Sequence, residues 1–77
     1  MELTVKINER IKELRLDKNL TQAGLAKAAG LSQSAIISWE KGKRIPSTYS
    51  LIKLADFFEV RMNYLLGLDD KKRLNEG

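Results

Sequence analysis

The sequence predicts an all-α domain of five short helices, and three observations carry that expectation. Apolar residues recur at helical intervals, first Ile7, Ile11 and Leu14, later Leu51, Leu54, Ala55 and Phe58. Thr21, Ser32 and Ser47 stand where a side-chain oxygen can accept the free N–H groups at a helix start. Asn19, Gly30, Gly42 and Gly67 stand where a residue tolerant of left-handed backbone can close a helix.

The first helix is expected from near Val5 to Lys18. Leu3, Val5 and Ile7 also alternate as a short strand would, but the helical period that follows is longer and prevails. Asn19-Leu20-Thr21 forms a tight link to a second helix over Gln22 to Ala29. A capping box would put Glu or Gln at position 24; Gly24 instead costs about 1 kcal/mol relative to Ala, so this helix must be held by packing.

Gly30 makes the next turn, Leu31 plugs the corner, and Ser32 caps a third helix running to about Lys41, which Gly42 ends. Pro46-Ser47 marks the entry to the fourth helix. Val60 and Arg61 bridge to a fifth, Met62 to Leu66, whose Tyr64 and Leu65 or Leu66 close the core. Residues 1–68 are expected to form one domain. The remainder, 69–77, has little apolar content and is expected to be a flexible tail.

Seventy-seven residues suffice for one small core. The chain has no Cys and no His, so neither disulfides, thiolate metal sites nor imidazole acid–base chemistry is available, and no metal or cofactor is expected. Charge enters the N-terminus too early for a signal peptide, and no apolar run approaches the roughly 20 residues that span a bilayer. A cytoplasmic protein without membrane insertion is the expectation. An enzyme is not: Asp69 and Asp70 lie in the tail, Asp56 and Glu59 sit on a helix surface, and no nucleophile has an evident base.

The net charge of +4 is unevenly spread. Residues 1–17 hold four basic and four acidic side chains and residues 54–77 four and five, whereas residues 18–53 hold six basic and one acidic. Concentrating like charge around one unit costs self-repulsion, which a polyanion would relieve.

That unit is two short helices meeting at Gly30, the sequence form of a helix-turn-helix. At 100° per residue the third helix turns Ala35, Ile36 and Trp39 to one side and Gln33, Ser34, Ile37, Ser38 and Lys41 to the other. A solvated polar face would account for each of the polar residues alone. Together they suit base-edge reading: Gln pairs with adenine, Ser bonds to several bases, and Ile37 meets a thymine methyl. Gln22, Thr21, Ser32, Lys41, Lys43 and Arg44 surround them as candidate phosphate contacts. Glu40 is the one acid in residues 18–53 and needs a partner, for which Arg15 is the candidate.

The pattern TQxxLAxxxGLSxxxIxxWExGKRxP resembles the helix-turn-helix of the phage-repressor and Cro family, the xenobiotic-response-element type of regulator, and LIKLADFFEVRMNYLLG resembles its fourth and fifth helices. The likeness covers roughly residues 7–67 and implies a lambda-repressor-like fold. It further implies that Ala26 lets the two helices cross closely, Gly30 makes the turn, Ile36 and Trp39 anchor the recognition helix, Arg15 bridges Glu40, Gln22 binds backbone phosphate, and Gln33, Ser34, Ile37 and Ser38 read bases. Gly24 and Asn19 depart from the pattern, where a strong helix former and a glycine are usual.

The resemblance implies a transcriptional regulator, a repressor above all, that binds double-stranded DNA as a homodimer on a palindromic operator, with Phe57, Val60, Arg61 and Met62 as candidate seam. Two alternatives stand beside it: the antitoxin of a toxin–antitoxin pair, and a protein-interaction module that kept the fold without DNA binding.

Overall fold

A computed structural model describes residues 6–72. Five helices follow one another: α1 Ile7–Asp17, α2 Gln22–Ala29, α3 Gln33–Glu40, α4 Thr48–Phe58 and α5 Met62–Leu66. The expected start near Val5 and the strand alternative over Leu3 and Val5 fall outside the described residues; within them Ile7 is helical, and α1 stops at Asp17 with Lys18 as its cap.

Helices of 5 to 11 residues are marginal alone, so their stability comes from packing and from their ends. In α1 the predicted stripe Ile7, Ile11 and Leu14 is buried, with Arg15 beside it. This stripe packs on α3 and α5; α2 packs on α3 and α4, and α4 on α5. Ile11, Leu25, Ile36, Leu54 and Leu65 are all fully buried, so every helix contributes to one core.

The helix starts are capped as the sequence indicates. Thr21 Oγ1 accepts the Gly24 N–H at 2.9 Å, Ser32 Oγ the Ala35 N–H at 3.3 Å, and Ser47 Oγ the Ser50 N–H at 3.2 Å.

The helix ends share a single device. Asn19, Gly30, Gly42, Glu59 and Gly67 all have positive φ. After each, the next residue donates its N–H to the carbonyl five positions back: Leu20 to Arg15, Leu31 to Ala26, Lys43 to Ser38, Val60 to Ala55 and Leu68 to Asn63, at 2.8 to 3.1 Å. This is the Schellman closure, which satisfies orphan carbonyls and reverses the chain within two residues. Four of the five positions carry Gly or Asn. The fifth is Glu59, at φ 56°, where a side chain in left-handed backbone costs roughly 1 kcal/mol.

The segment after α5 returns along α1 instead of trailing away as a tail over its described part. The Arg61 N–H donates to Lys72 O at 3.0 Å. Arg10 pairs with Asp70 at 3.2 Å, and Lys72 with Asp17 at 3.0 Å and Glu13 at 3.7 Å. The Tyr64 hydroxyl donates to Glu13 at 2.7 Å while the Arg10 guanidinium lies 3.9 Å from the ring centre. Burial, then the bond to Glu13, holds the phenol above its ordinary pKa; Arg10 opposes the shift. Residues 69–72 have no apolar anchor in the core, and charge pairing holds them.

Replacing Glu59 by Gly should raise the unfolding free energy by about 0.5 to 1 kcal/mol, because the left-handed cap then carries no side-chain penalty. Urea denaturation measures it; an unchanged or lower midpoint would show that this end of α4 is not strained.

Candidate nucleic-acid interface

The second and third helices, joined through Gly30 at φ 71°, pack on each other, and Ala26 of α2 is buried. On α3, Ile36 is completely buried and Trp39 nearly so, which fixes the rotation of the helix about its axis. That rotation leaves Gln33 and Ser34 exposed, Ile37 and Ser38 half-exposed, and Lys41 in solvent. The predicted reading edge is therefore an outer edge of the molecule.

The end of α3 is held by charge. Arg15 donates from Nε to Glu40 Oε2 at 2.7 Å and from Nη2 to Oε1 at 3.0 Å, a bidentate pair whose side chains are 10% and 5% exposed. Arg15 Nη1 also donates to Leu20 O at 2.7 Å, in the turn before α2. The bond to Glu40 raises the Arg15 pKa further, against desolvation, so the guanidinium stays charged at any working pH.

Sequence reasoning missed a third partner. Gln22 Nε2 donates to Glu40 Oε1 at 3.2 Å, which places the first residue of α2 on the last residue of α3. Both oxygens of the one acid in residues 18–53 are thereby occupied, so this stretch of the chain offers no free carboxylate.

Two further contacts change how the candidate residues count. Ser32 and Ser34 share a hydroxyl–hydroxyl bond at 2.9 Å, which couples the orientations of the two side chains at the start of α3. Lys53 Nζ donates to Gly30 O at 3.0 Å, so part of the basic excess closes the end of α2. Lys41, Lys43 and Arg44 are exposed and, among the described residues, outside every ion pair. Arg44 borders a groove of about 250 Å³ between α3 and the start of α4, floored by Trp39 and Ala35.

A helix-turn-helix family model, HTH_3, matches residues 11–65. The chain belongs to this helix-turn-helix family. It is 39% identical over 72 residues to the transcriptional activator BcrR of Enterococcus faecalis, covering 94% of this chain and 35% of that protein. It is 35% identical over 63 residues to the cryptic phage CTXphi transcriptional repressor RstR of Vibrio cholerae, covering 82% of this chain and 56% of that protein. The chain thus spans about a third to a little over half of these curated relatives. Among solved structures it is similar to the restriction-modification controller protein C.Esp1396I, a tetramer in complex with its natural 35 base-pair operator, with TM-score 0.72, 29% identity and coverage of 86% of this chain and 91% of that one.

As a helix-turn-helix of this family, the chain brings Gln22, Thr21, Ser32, Gln33 and Ser34 to the starts of α2 and α3, with Lys41, Lys43 and Arg44 beyond the end of α3. Of the seam residues expected from sequence, Val60 is 2% exposed and part of the core, so its side chain is not available to a partner. The reason is that Val60 follows the reversal at Glu59, which turns it inward. Phe57, Arg61 and Met62 remain half-exposed at the α4–α5 corner. Among the described residues no group of His, Cys, Asp or Glu could hold a metal, and no helix is long and apolar enough to cross a membrane.

Truncating Arg15 to Ala should cost about 3 to 5 kcal/mol by leaving Glu40 charged and buried, whereas the joint replacement R15M/E40L should fall within about 1 to 2 kcal/mol of the parent. Equilibrium urea unfolding of the two variants decides it; equal losses would mean that the pair is solvated rather than buried.

Proposed function

We propose that this chain is the DNA-binding part of a sequence-specific transcriptional regulator that acts as a repressor, with α3 in the major groove. The observation that carries this reading is the α3 edge itself: Gln33, Ser34, Ile37 and Ser38 face outward from a helix rigidly mounted by Ile36, Trp39 and the Arg15–Glu40 pair, in a stretch of chain, residues 18–53, whose one acid is paired. An interaction module that had abandoned DNA would have no need to neutralise its one local acid so completely.

In this reading Gln33 makes a bidentate pair with adenine, Ser34 and Ser38 bond to base edges, and Ile37 meets a thymine methyl. Gln22, Thr21, Ser32, Lys41, Lys43 and Arg44 hold the phosphates on either side. The Thr21 and Ser32 oxygens already accept cap bonds, so each hydroxyl serves phosphate as a donor. Repression is supported by the phage repressor among the relatives. Self-association is supported by the tetrameric operator complex of C.Esp1396I. A two-fold dimer on half-sites about one helical turn apart then supplies the contacts that a single domain of this size lacks.

The α4–α5 corner, with Phe57, Arg61 and Met62, is the proposed seam. The outer face of α4 competes for that role, because it exposes Tyr49 and Ile52 at 68% and 54%. Sedimentation of Met62→Lys and Ile52→Lys discriminates them: Met62→Lys should dissociate the dimer and Ile52→Lys should leave it intact. The reverse pattern would move the seam to α4.

Selection of bound duplexes from random DNA tests the main reading, and the expected result is a palindrome. On the selected duplex, log K against log salt should fall with a slope near −0.9 per neutralised phosphate, for about three or four phosphates per subunit. Gln33→Ala should lose about 1 to 3 kcal/mol and relax preference at one base position, while Lys43→Ala should weaken all sequences alike and reduce the slope by about 1. Affinity that ignores both salt and sequence would sink the proposal.

A further inference from the structure

Glu40 occupies a place that is costly for an acid, nearly buried and a few residues from the proposed phosphate contacts. Arg15 neutralises it, and a neutral apolar pair would hold the helices with less desolvation. What an apolar pair would not do is receive Gln22. The amide of Gln22 has two N–H donors on its nitrogen and an acceptor oxygen, and a carboxylate can only accept. The contact from Nε2 to Glu40 Oε1 therefore settles which way the amide faces and leaves one N–H unspent. Gln22 is also the first residue of α2, where backbone N–H groups lack intrahelical partners; Thr21 takes only that of Gly24.

We propose that Glu40 is a positioning residue for the phosphate contact of Gln22: held by Arg15, it takes one hydrogen of the Gln22 amide and aims the other, with the free N–H groups at the start of α2, at a single backbone phosphate. This rests on the reading of Gln22 as a phosphate contact given above. A free Gln side chain would have to surrender rotamer freedom on docking, and here that ordering precedes the DNA. Because Glu40 ends α3, the same contact ties the phosphate clamp on α2 to the reading edge on α3. The phosphate that Gln22 grips then sets the register at which Gln33 to Ser38 enter the groove.

The test uses the duplex selected by the parent protein, with each phosphate near the half-site replaced singly by neutral methylphosphonate. Since loss of Glu40 alone strands a buried guanidinium, the informative variant is R15M/E40L, compared with Q22A and the parent at a temperature where circular dichroism shows all three folded. One phosphate should cost the parent about tenfold more in affinity when neutralised than it costs Q22A, the magnitude of one hydrogen bond to a charged group, while the backbone N–H groups of α2 give both proteins the same residual penalty. R15M/E40L should resemble Q22A at that phosphate and the parent at the phosphates held by Lys43 and Arg44. If R15M/E40L keeps the full penalty there, or loses affinity evenly at all phosphates as a merely loosened fold would, positioning by Glu40 is overturned. If Q22A keeps the penalty pattern of the parent, Gln22 does not grip a phosphate, and the underlying assignment falls with the proposal.

Discussion

One buried ion pair sets the geometry on which everything else in this domain depends. Arg15 reaches from the end of α1 to Glu40 at the end of α3, and the same two side chains engage the Leu20 carbonyl and the Gln22 amide. Four parts of the chain are thereby referred to one point: α1, the turn after it, the start of α2 and the end of α3. Buried pairs contribute little net stability, because desolvation offsets their attraction. What they do provide is direction, since a planar bidentate contact is satisfied in one orientation only. Apolar packing of Ile36 and Trp39 fixes how α3 is turned, and the pair fixes how its far end is placed.

A domain of this size has no spare cohesion, and the helix ends show how it is conserved. Five helices of at most 11 residues close through the same left-handed reversal, each returning an N–H to the carbonyl five residues back. The reversals keep the loops short, so little chain entropy is spent outside the core. α2 is intrinsically weak, with Gly24 in its first turn, and it holds because Leu25 and Ala26 are buried and Lys53 bonds to its closing carbonyl. After α5, charges on α1 hold residues 70–72, so polar contacts there extend a fold that apolar area alone would have ended at α5.

The proposed interface follows from these constraints with few dedicated parts. The one acid of residues 18–53 is kept out of the proposed interface by having both carboxylate oxygens occupied. In the proposed interface the hydroxyls that cap α2 and α3 are also the proposed phosphate contacts, so local structure and binding would draw on the same side chains. Ser32 and Ser34 share a bond, so a change at either hydroxyl reorients the other.

The sequence by itself determined the number and order of the helices, the caps at Thr21, Ser32 and Ser47, the turns at Asn19, Gly30, Gly42 and Gly67, the Arg15–Glu40 pair and the outward edge of α3. These are local properties, set by spacing, capping chemistry and backbone tolerance within a few residues, or by a lone acid that required a partner. Only the tertiary structure decided the rest: Gln22 resting on Glu40, Lys53 diverted to Gly30, Val60 turned into the core by a Glu that adopts a glycine's conformation, and the last described residues laid along α1. Each of these depends on groups that meet through the packing of helices or through a reversal that residue type disfavours, and no periodicity along the chain records which side chains a packed core will bring within 3 Å of each other.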